Sequence, residues 1–225
     1  TANDNYGIEV SSTGTVGTGN GGILLTGMGG GSGASQNNEG VRVRGAISST
    51  RNSPSSTSIT LLGTGGNTTG SGNNGVSIAD GSLFTNSPIL ITGIAGNSTA
   101  DDITILSGTI NASASSARTI TLSGDKVNIG IGAIIGNNAT SIVALIQRTD
   151  NTPINLGTET VGSLSYTSDE MNRIFANEIF IGNATSGPMT ISATIAPANI
   201  SATCRITLQT QIDLIMSGGG IATLG

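Results

Sequence analysis

The side chains able to carry chemistry in this sequence are few, and most are aspartates: Asp80, the pair Asp101-Asp102, and Asp125, with Arg118 and Lys126 the nearest cations. Carboxylates stacked across neighbouring coils of a repeat protein are hard oxygen donors that suit Ca²⁺, and beside a base such a site can act on polysaccharide. Two cations supply that basic partner poorly, so these aspartates read as solvated turn residues. The chain has no histidine, which removes the commonest general base and metal ligand together. Its single cysteine, Cys204, can form neither an internal disulfide nor a thiolate metal cluster. Cys204 alternates with Ile206 and Leu208, which predicts a small buried hydrophobe. No catalytic, cofactor-binding or metal-binding residue is assigned, and no cofactor is expected.

The glycine-rich runs point the same way. They lack the GGxGxD pattern of calcium-binding rolls, and none is followed by the Gly-Lys-Ser of a phosphate loop, so they read as turns. Threonines at 119, 121 and 207 suggest a flat outward array of the ice-binding kind, but the corresponding positions include Arg42, Arg44, Leu24, Leu62 and Leu90. The N-x-S/T triplets at Asn67, Asn97, Asn111, Asn138, Asn183 and Asn199 are expected by chance in a chain so rich in Asn, Ser and Thr.

The positioning elements are legible in a repeat. NEGVRVRGAISS at 38–49 and NNGVSIADGSLF at 73–84 nearly copy each other, with NDNYGIEVSS at 3–12 a fainter third copy. Apolar segments ending in glycine follow: GILLTG at 22–27, SITLLG at 58–63, PILITG at 88–93 and TITLSG at 119–124. The first aliphatic of each repeat falls at Ile8, Val41, Val76 and Ile103, in steps of 33, 35 and 27 residues. Such spacing is the signature of a solenoid whose strands keep register while its turns vary in length.

Within each repeat apolar residues alternate, as in Val41-Arg42-Val43-Arg44, Ile89-Leu90-Ile91 and Ile120-Thr121-Leu122. Period-two alternation places Val, Ile and Leu on one face of a strand, whereas a helix needs spacings of three and four. Ile120, Leu122, Ile89, Ile91, Val41 and Val43 are therefore predicted to point inward. The fold predicted is all-β: a right-handed parallel β-helix (β-solenoid) with one short helical turn. Three strands per repeat would give about seven coils at roughly 4.8 Å per coil. Composition agrees, with 36% hydrophobic, 9% charged and 2% aromatic residues: too aliphatic for a linker and too sparsely charged for a disordered tail.

Near residue 137 the composition shifts, 27 of the 35 glycines lying in 1–136 and 8 in 137–225. We read 1–136 as Gly-rich solenoid repeats and 137–225 as a continuing solenoid with a short helix near 168–175, all one stack. The helix is predicted from Ser168 as N-cap, Asp169 and Glu170 in the first turn, and Met171, Ile174 and Phe175 on one face, lying against the outside of the coil. The chain starts mid-pattern at Thr1, and SGGGIATLG at its end reads as the opening of another coil, so a segment of a longer, exported polypeptide is expected.

The segment at 165–195 carries the most specific local pattern. Thr167-Ser168-Asp169-Glu170-Met171, Arg173-Ile174, Ile179 to Gly182 and Ser186-Gly187-Pro188-Met189-Thr190-Ile191-Ser192 form a capped helical turn, a strand, an IG turn and a further strand. This resembles a unit of the large repetitive bacterial surface exoproteins of the filamentous haemagglutinin and autotransporter-adhesin type. The resemblance implies an extracellular or cell-surface location and a structural role as stalk, adhesin or fibre, without catalysis. A carbohydrate- or surface-binding adhesin module using the turns at 28–38 and 63–74 is the alternative, and a polysaccharide-degrading enzyme a weaker one. Expected partners are further copies, end to end, and a glycan or cell-surface ligand. With 13 acidic and 8 basic residues scattered singly, neither a nucleic-acid stripe nor a polybasic membrane patch is present, and no stretch approaches the roughly 20 apolar residues of a membrane span.

Overall fold

The computed structural model describes residues 2–113, 117–137, 140–200 and 203–222. The first coil holds β1 (Ile8–Val10), β2 (Thr15–Thr18) and β3 (Ile23–Met28). The second holds β4 (Val41–Val43), β5 (Ala46–Ser49) and β6 (Ile59–Thr64), and the third β7 (Val76–Ile78), β8 (Gly81–Thr85) and β9 (Ile89–Ile94). In the next two coils the first pair of strands merges, giving β10 (Ile103–Ala112) with β11 (Arg118–Ser123) and β12 (Val127–Gly136) with β13 (Ser141–Ile146). Then follow β14 (Ile154–Gly157), β15 (Leu164–Thr167), the helical turn α1 (Ser168–Met171), β16 (Ile174–Phe175), β17 (Glu178–Gly182), β18 (Met189–Ile191), β19 (Arg205–Gln209) and β20 (Leu214–Met216).

The strands form three stacked sheets, and every pairing among the described residues is parallel. The molecule is an all-β parallel β-helix. Sheet A stacks β1, β4, β7, β10 and β12 along one edge and β2, β5, β8, β10, β12 and β16 along the other. Sheet B runs β3-β6-β9-β11-β13-β17-β19, and sheet C runs β15-β14-β18-β20. The repeat steps are the registers themselves: Ile8 pairs Val41, Val41 pairs Val76 and Val76 pairs Ile103. The closing glycines Gly27, Gly63 and Gly93 pair in the same way.

Alternation then builds the core. One inward column of sheet B is Ile23, Ile59, Ile89, Ile120, Val143, Ile179 and Ile206, and the next is Leu25, Leu61, Ile91, Leu122, Leu145, Ile181 and Leu208. From Ile59 to Ile181 these side chains are essentially inaccessible to water. Each contributes about 1.5–3 kcal/mol. Val41 and Val43, on sheet A, are equally buried.

Four expectations are corrected. The helix spans Ser168–Met171 rather than 168–175, because Ile174 and Phe175 pair with Ile135 and Gly136 as β16. Its N-cap is Thr167, not Ser168: the Thr167 hydroxyl accepts from the Glu170 N–H at 3.3 Å, and the Glu170 carboxylate accepts from the Thr167 N–H at 3.0 Å. Nor does the turn lie on the outside of the coil. Met171 is fully buried, and Glu170 accepts the Ile129 N–H at 3.0 Å while Arg173 donates to the Ile129 carbonyl. Side chains of the turn thus satisfy backbone groups of β12 that a further strand would otherwise pair. Cys204, predicted to be buried, is half-buried and packs against the edge of the core.

The capping box yields a prediction. Thr167→Ala should lower stability by about 0.5–2 kcal/mol, and hydrogen exchange should quicken first around Ser168–Met171. Ser168→Ala removes only an acceptor for the Ala196 N–H at 3.2 Å and should do less. Equal effects of the two substitutions would refute the assignment of the cap.

Candidate functional site

Where the turns of the third to fifth coils meet the loop 158–163, the surface is cut by a cleft of about 570 Å³ whose walls include Asp102, Asp125, Lys126, Arg148 and Glu159. A second depression of about 680 Å³ shares Lys126 and Glu159 and adds Asp101, Asp169, Glu170 and Arg173. The cleft exists because β15 returns parallel to β14, Ile154 pairing with Leu164, so that the six-residue connection is carried over the turns of earlier coils. Three of the four aspartates singled out from sequence therefore do come together, with Lys126. Asp80 and Arg118 do not line either depression. Asp80 sits at a positive-φ turn after β7, where it accepts the Ser107 hydroxyl at 2.6 Å. Arg118 is buried at the start of β11 and donates to the Asn86 carbonyl at 2.7 Å and the Asn52 side chain at 2.8 Å.

The cleft aspartates are structural acceptors rather than solvated turn residues. Asp102, 5% exposed, takes the N–H groups of Ala95 at 2.6 Å and Asp125 at 2.5 Å, tying one coil's turn to the next. Asp125 accepts from the backbone of Arg148 at 2.9 Å and Thr149 at 2.8 Å, from the Thr149 hydroxyl at 2.5 Å and from the Arg148 guanidinium at 3.1 Å. Burial pushes its carboxyl up, but the Thr149 and Arg148 hydrogen bonds and charge outweigh this and hold it below the usual carboxylate range. Asp101 pairs with Lys126 at 3.0 Å and accepts the Thr104 hydroxyl at 2.9 Å. Both oxygens of Glu170 are committed to the Ile129 and Thr167 amides and the Thr167 hydroxyl. Carboxylates held in this way brace backbone. Among the described residues no group of three or more Cys, Asp and Glu side chains is arranged to hold a metal ion.

Glu159 differs. Desolvation against the cleft wall, the adjacent Glu170 carboxylate and, more weakly, Asp101 push its carboxyl up to about 7, with Lys126 opposing. Nothing in the repeat pattern singled it out, because its surroundings arise only from the parallel return of β15. The folded value lies above the ordinary 4.5, so this group's contribution to holding the loop is complete below about pH 4.5 and disappears as pH rises through about 7. Hydrogen exchange at 159–163, corrected for the intrinsic pH dependence, should show protection falling across that interval. Glu159→Gln should abolish the fall, and an unchanged pH profile in that variant would disprove the origin assigned.

The long turns proposed as binding loops are packed against one another. Asn5, Asn38 and Asn73 each stand three residues before the first aliphatic of a coil and form a ladder: Asn5 donates to Asn38 at 2.7 Å, and Asn38 to Asn73 at 2.8 Å. Ser35 and Thr68 complete it, Asn38 donating to Ser35 at 2.8 Å and Asn73 to Thr68 at 2.8 Å, and these four residues of the second and third turns are buried. The asparagines were visible as part of the repeat, but their role depends on stacking. Of the N-x-S/T acceptors, Asn67 is exposed, Asn97 accepts the Thr99 N–H at 3.0 Å and donates to the Thr68 carbonyl of the preceding turn at 2.7 Å, Asn183 engages its side chain in a local turn, and Asn138 lies outside the described residues.

The threonines of sheet B do not form a uniform array. Arg42 and Arg44, set against such an array from sequence, belong to sheet A and the turn that follows β4, but Leu24, Leu62 and Leu90 do interrupt the threonine columns. No helix among the described residues is long and apolar enough to cross a membrane. No protein-family model, curated protein or solved structure matches the chain.

Proposed function

We propose that this chain is a structural β-solenoid segment of an exported bacterial surface or extracellular filament protein, working as stalk or fibre without catalysis. The observation that carries this reading is the pair of aliphatic columns running unbroken through all seven strands of sheet B. A stack of this kind resists bending because every coil is hydrogen-bonded to the next along its strands. The cleft supports the same view, since Asp102, Asp125 and Glu170 serve the backbone. Both ends of sheet B are open, β3 and β19 each pairing on one side only. Leu214 and Met216 continue the columns of Met189 and Ile191, yet they are 49% and 65% exposed. In a stack of this kind the strand edge of one coil is the template for the next, and the partner proposed is a further copy added head to tail.

A glycan- or surface-binding adhesin is the second reading. It is favoured by a groove on sheet A lined by Glu39, Arg42, Asn74, Asp101, Thr104 and Asn128, whose carboxylates and amides suit a hydroxyl-rich ligand.

Light scattering and electron microscopy of the isolated protein, with a glycan-binding screen, separate the readings. Filaments that lengthen with concentration and show no saturable glycan binding are expected. A strictly monomeric species at high concentration would overturn the structural reading, and saturable binding lost on Asn128→Ala would establish the adhesin.

A further inference from the structure

The outer face of sheet B has a pattern that the rod alone does not require. Across β3, β6, β9, β11 and β13 no charged side chain stands on that face: Arg118, the one charged residue in these strands, is 3% exposed and turned to the Asn86 carbonyl. Charges do lie on the outer side of sheet A, where Glu9 and Arg42 pair in register, and around the cleft of Asp101, Asp125 and Glu159. Beyond β13 the face meets Glu178 and Arg205, which pair with each other.

What covers the face instead is a checkerboard. In one outward column Leu24, Thr60, Leu90 and Thr121 follow one another up the stack, and in the next column Thr26, Leu62, Thr92 and Ser123 do so. Large and small side chains thus alternate both along the strand and from coil to coil across β3, β6 and β9, while β11 adds two small residues, Thr121 and Ser123. Leu24 is 63% exposed, and Met28 and Ile94 at the margin are 73% and 38% exposed. A surface of bumps and hollows in this pattern is complementary to itself, so that two copies related by a two-fold axis can seat each leucine over a threonine of the other.

We propose that a second copy of this chain docks side by side on the outer face of sheet B, forming a closed lateral pair. Charge selects the occupant as well as the face. With a net charge of −5, two copies meet with the least repulsion where neither carries charge. Area is sufficient: five strands about 4.8 Å apart and six residues at about 3.3 Å each give about 480 Å² per copy. The pair then buries about 1,000 Å², the size at which specific interfaces begin. Lateral pairing is independent of head-to-tail growth, which uses the open strand edges rather than this face.

Sedimentation velocity over a wide concentration range tests the proposal. A lateral dimer is expected for the native chain at concentrations below those at which filaments grow, and filaments that grow from it should be paired. Leu62→Lys, at the centre of the checkerboard, should weaken dimerisation by about 100-fold or more through two like charges brought together in an apolar contact. Ile131→Lys, at a 92% exposed position of sheet A, should leave it unchanged. Circular dichroism and melting of both variants as monomers establish that they fold, and Thr92→Lys provides an independent variant if Leu62→Lys does not. A native chain that never forms a lateral dimer, or a dimer that survives both Leu62→Lys and Thr92→Lys, overturns the proposal. Filaments that lengthen indefinitely and ignore Leu62→Lys report end-to-end growth alone, which supports the rod and likewise overturns the lateral pair.

Discussion

Ile120→Asp should unfold or nearly unfold this protein, lowering stability by about 4 kcal/mol or more. Ile120 is fully buried in the column between Ile89 and Val143, and no charged or polar partner belongs to that column. An aspartate there must either bury an unpaired carboxylate or take up a proton, and it also leaves a hollow where branched aliphatics stack on their own kind. Thr121→Asp, one residue away, places its carboxylate on the outer face and should change monomer stability by only about 0.5 kcal/mol. Thermal melts at low concentration, where copies are apart, decide the matter. Equal loss from the two substitutions would refute the strand orientation and with it the assignment of the core.

Gly63→Ala should be the more revealing substitution, because it adds a single methyl group. A Cβ on Gly63 would lie 2.0 Å from the carbonyl oxygen of Gly75 and 2.6 Å from its carbon, both backbone atoms. Gly75 cannot move aside cheaply, since its carbonyl accepts the Val41 N–H at 3.0 Å and its own N–H donates to Asp101 at 3.1 Å. The methyl must therefore push one coil away from the next, at about 3 kcal/mol. Gly27 against Gly40 and Gly93 against Asp102 repeat the same close approach at the same corner. Gly19→Ala is the control, as nothing stands within 4 Å of its added Cβ, and a change of about 0–1 kcal/mol in either direction is expected. Denaturant melts of the two variants should differ accordingly, and a Gly63→Ala protein as stable as Gly19→Ala would mean that the coils are not in the tight register described.

The sharp cost at Gly63 explains why the closing glycines could be found without a structure. The chain repeats a glycine at this corner in its first three coils, Gly27, Gly63 and Gly93, where the backbone of the following coil comes closest, and stacking in register makes each of them meet the same restriction. The same logic made the aliphatic positions legible. Ile8, Val41, Val76 and Ile103 recur at uneven steps, yet they pair one above another because strand register is held by burial while turn length is free.

The helix shows where such reading ends. Thr167, Ser168, Asp169 and Glu170 all suit a helix start, and local preference alone could not choose between Thr167 and Ser168 as the cap. The choice followed from Glu170, whose carboxylate is drawn to the Ile129 N–H of a strand some forty residues earlier. Likewise Ile174 and Phe175 fit a helical face by spacing, but the free edge of β12 recruited them as a strand. Long-range backbone pairing overrode a local pattern in both cases.

Local alternation and repetition, carried by the sequence itself, determined the parallel strand stack, its inward columns and the glycines at its corners, since each depends on a period that every coil shares. Tertiary structure alone decided which side chains from different coils meet. It placed Glu159 beside Glu170 through the return of β15, joined Asn38 to Asn73 across a 35-residue interval, and aligned Leu24, Leu62 and Leu90 into an uncharged face. Those neighbours are set by the register between coils and by the path of a single irregular loop, and neither is a property of any one stretch of chain.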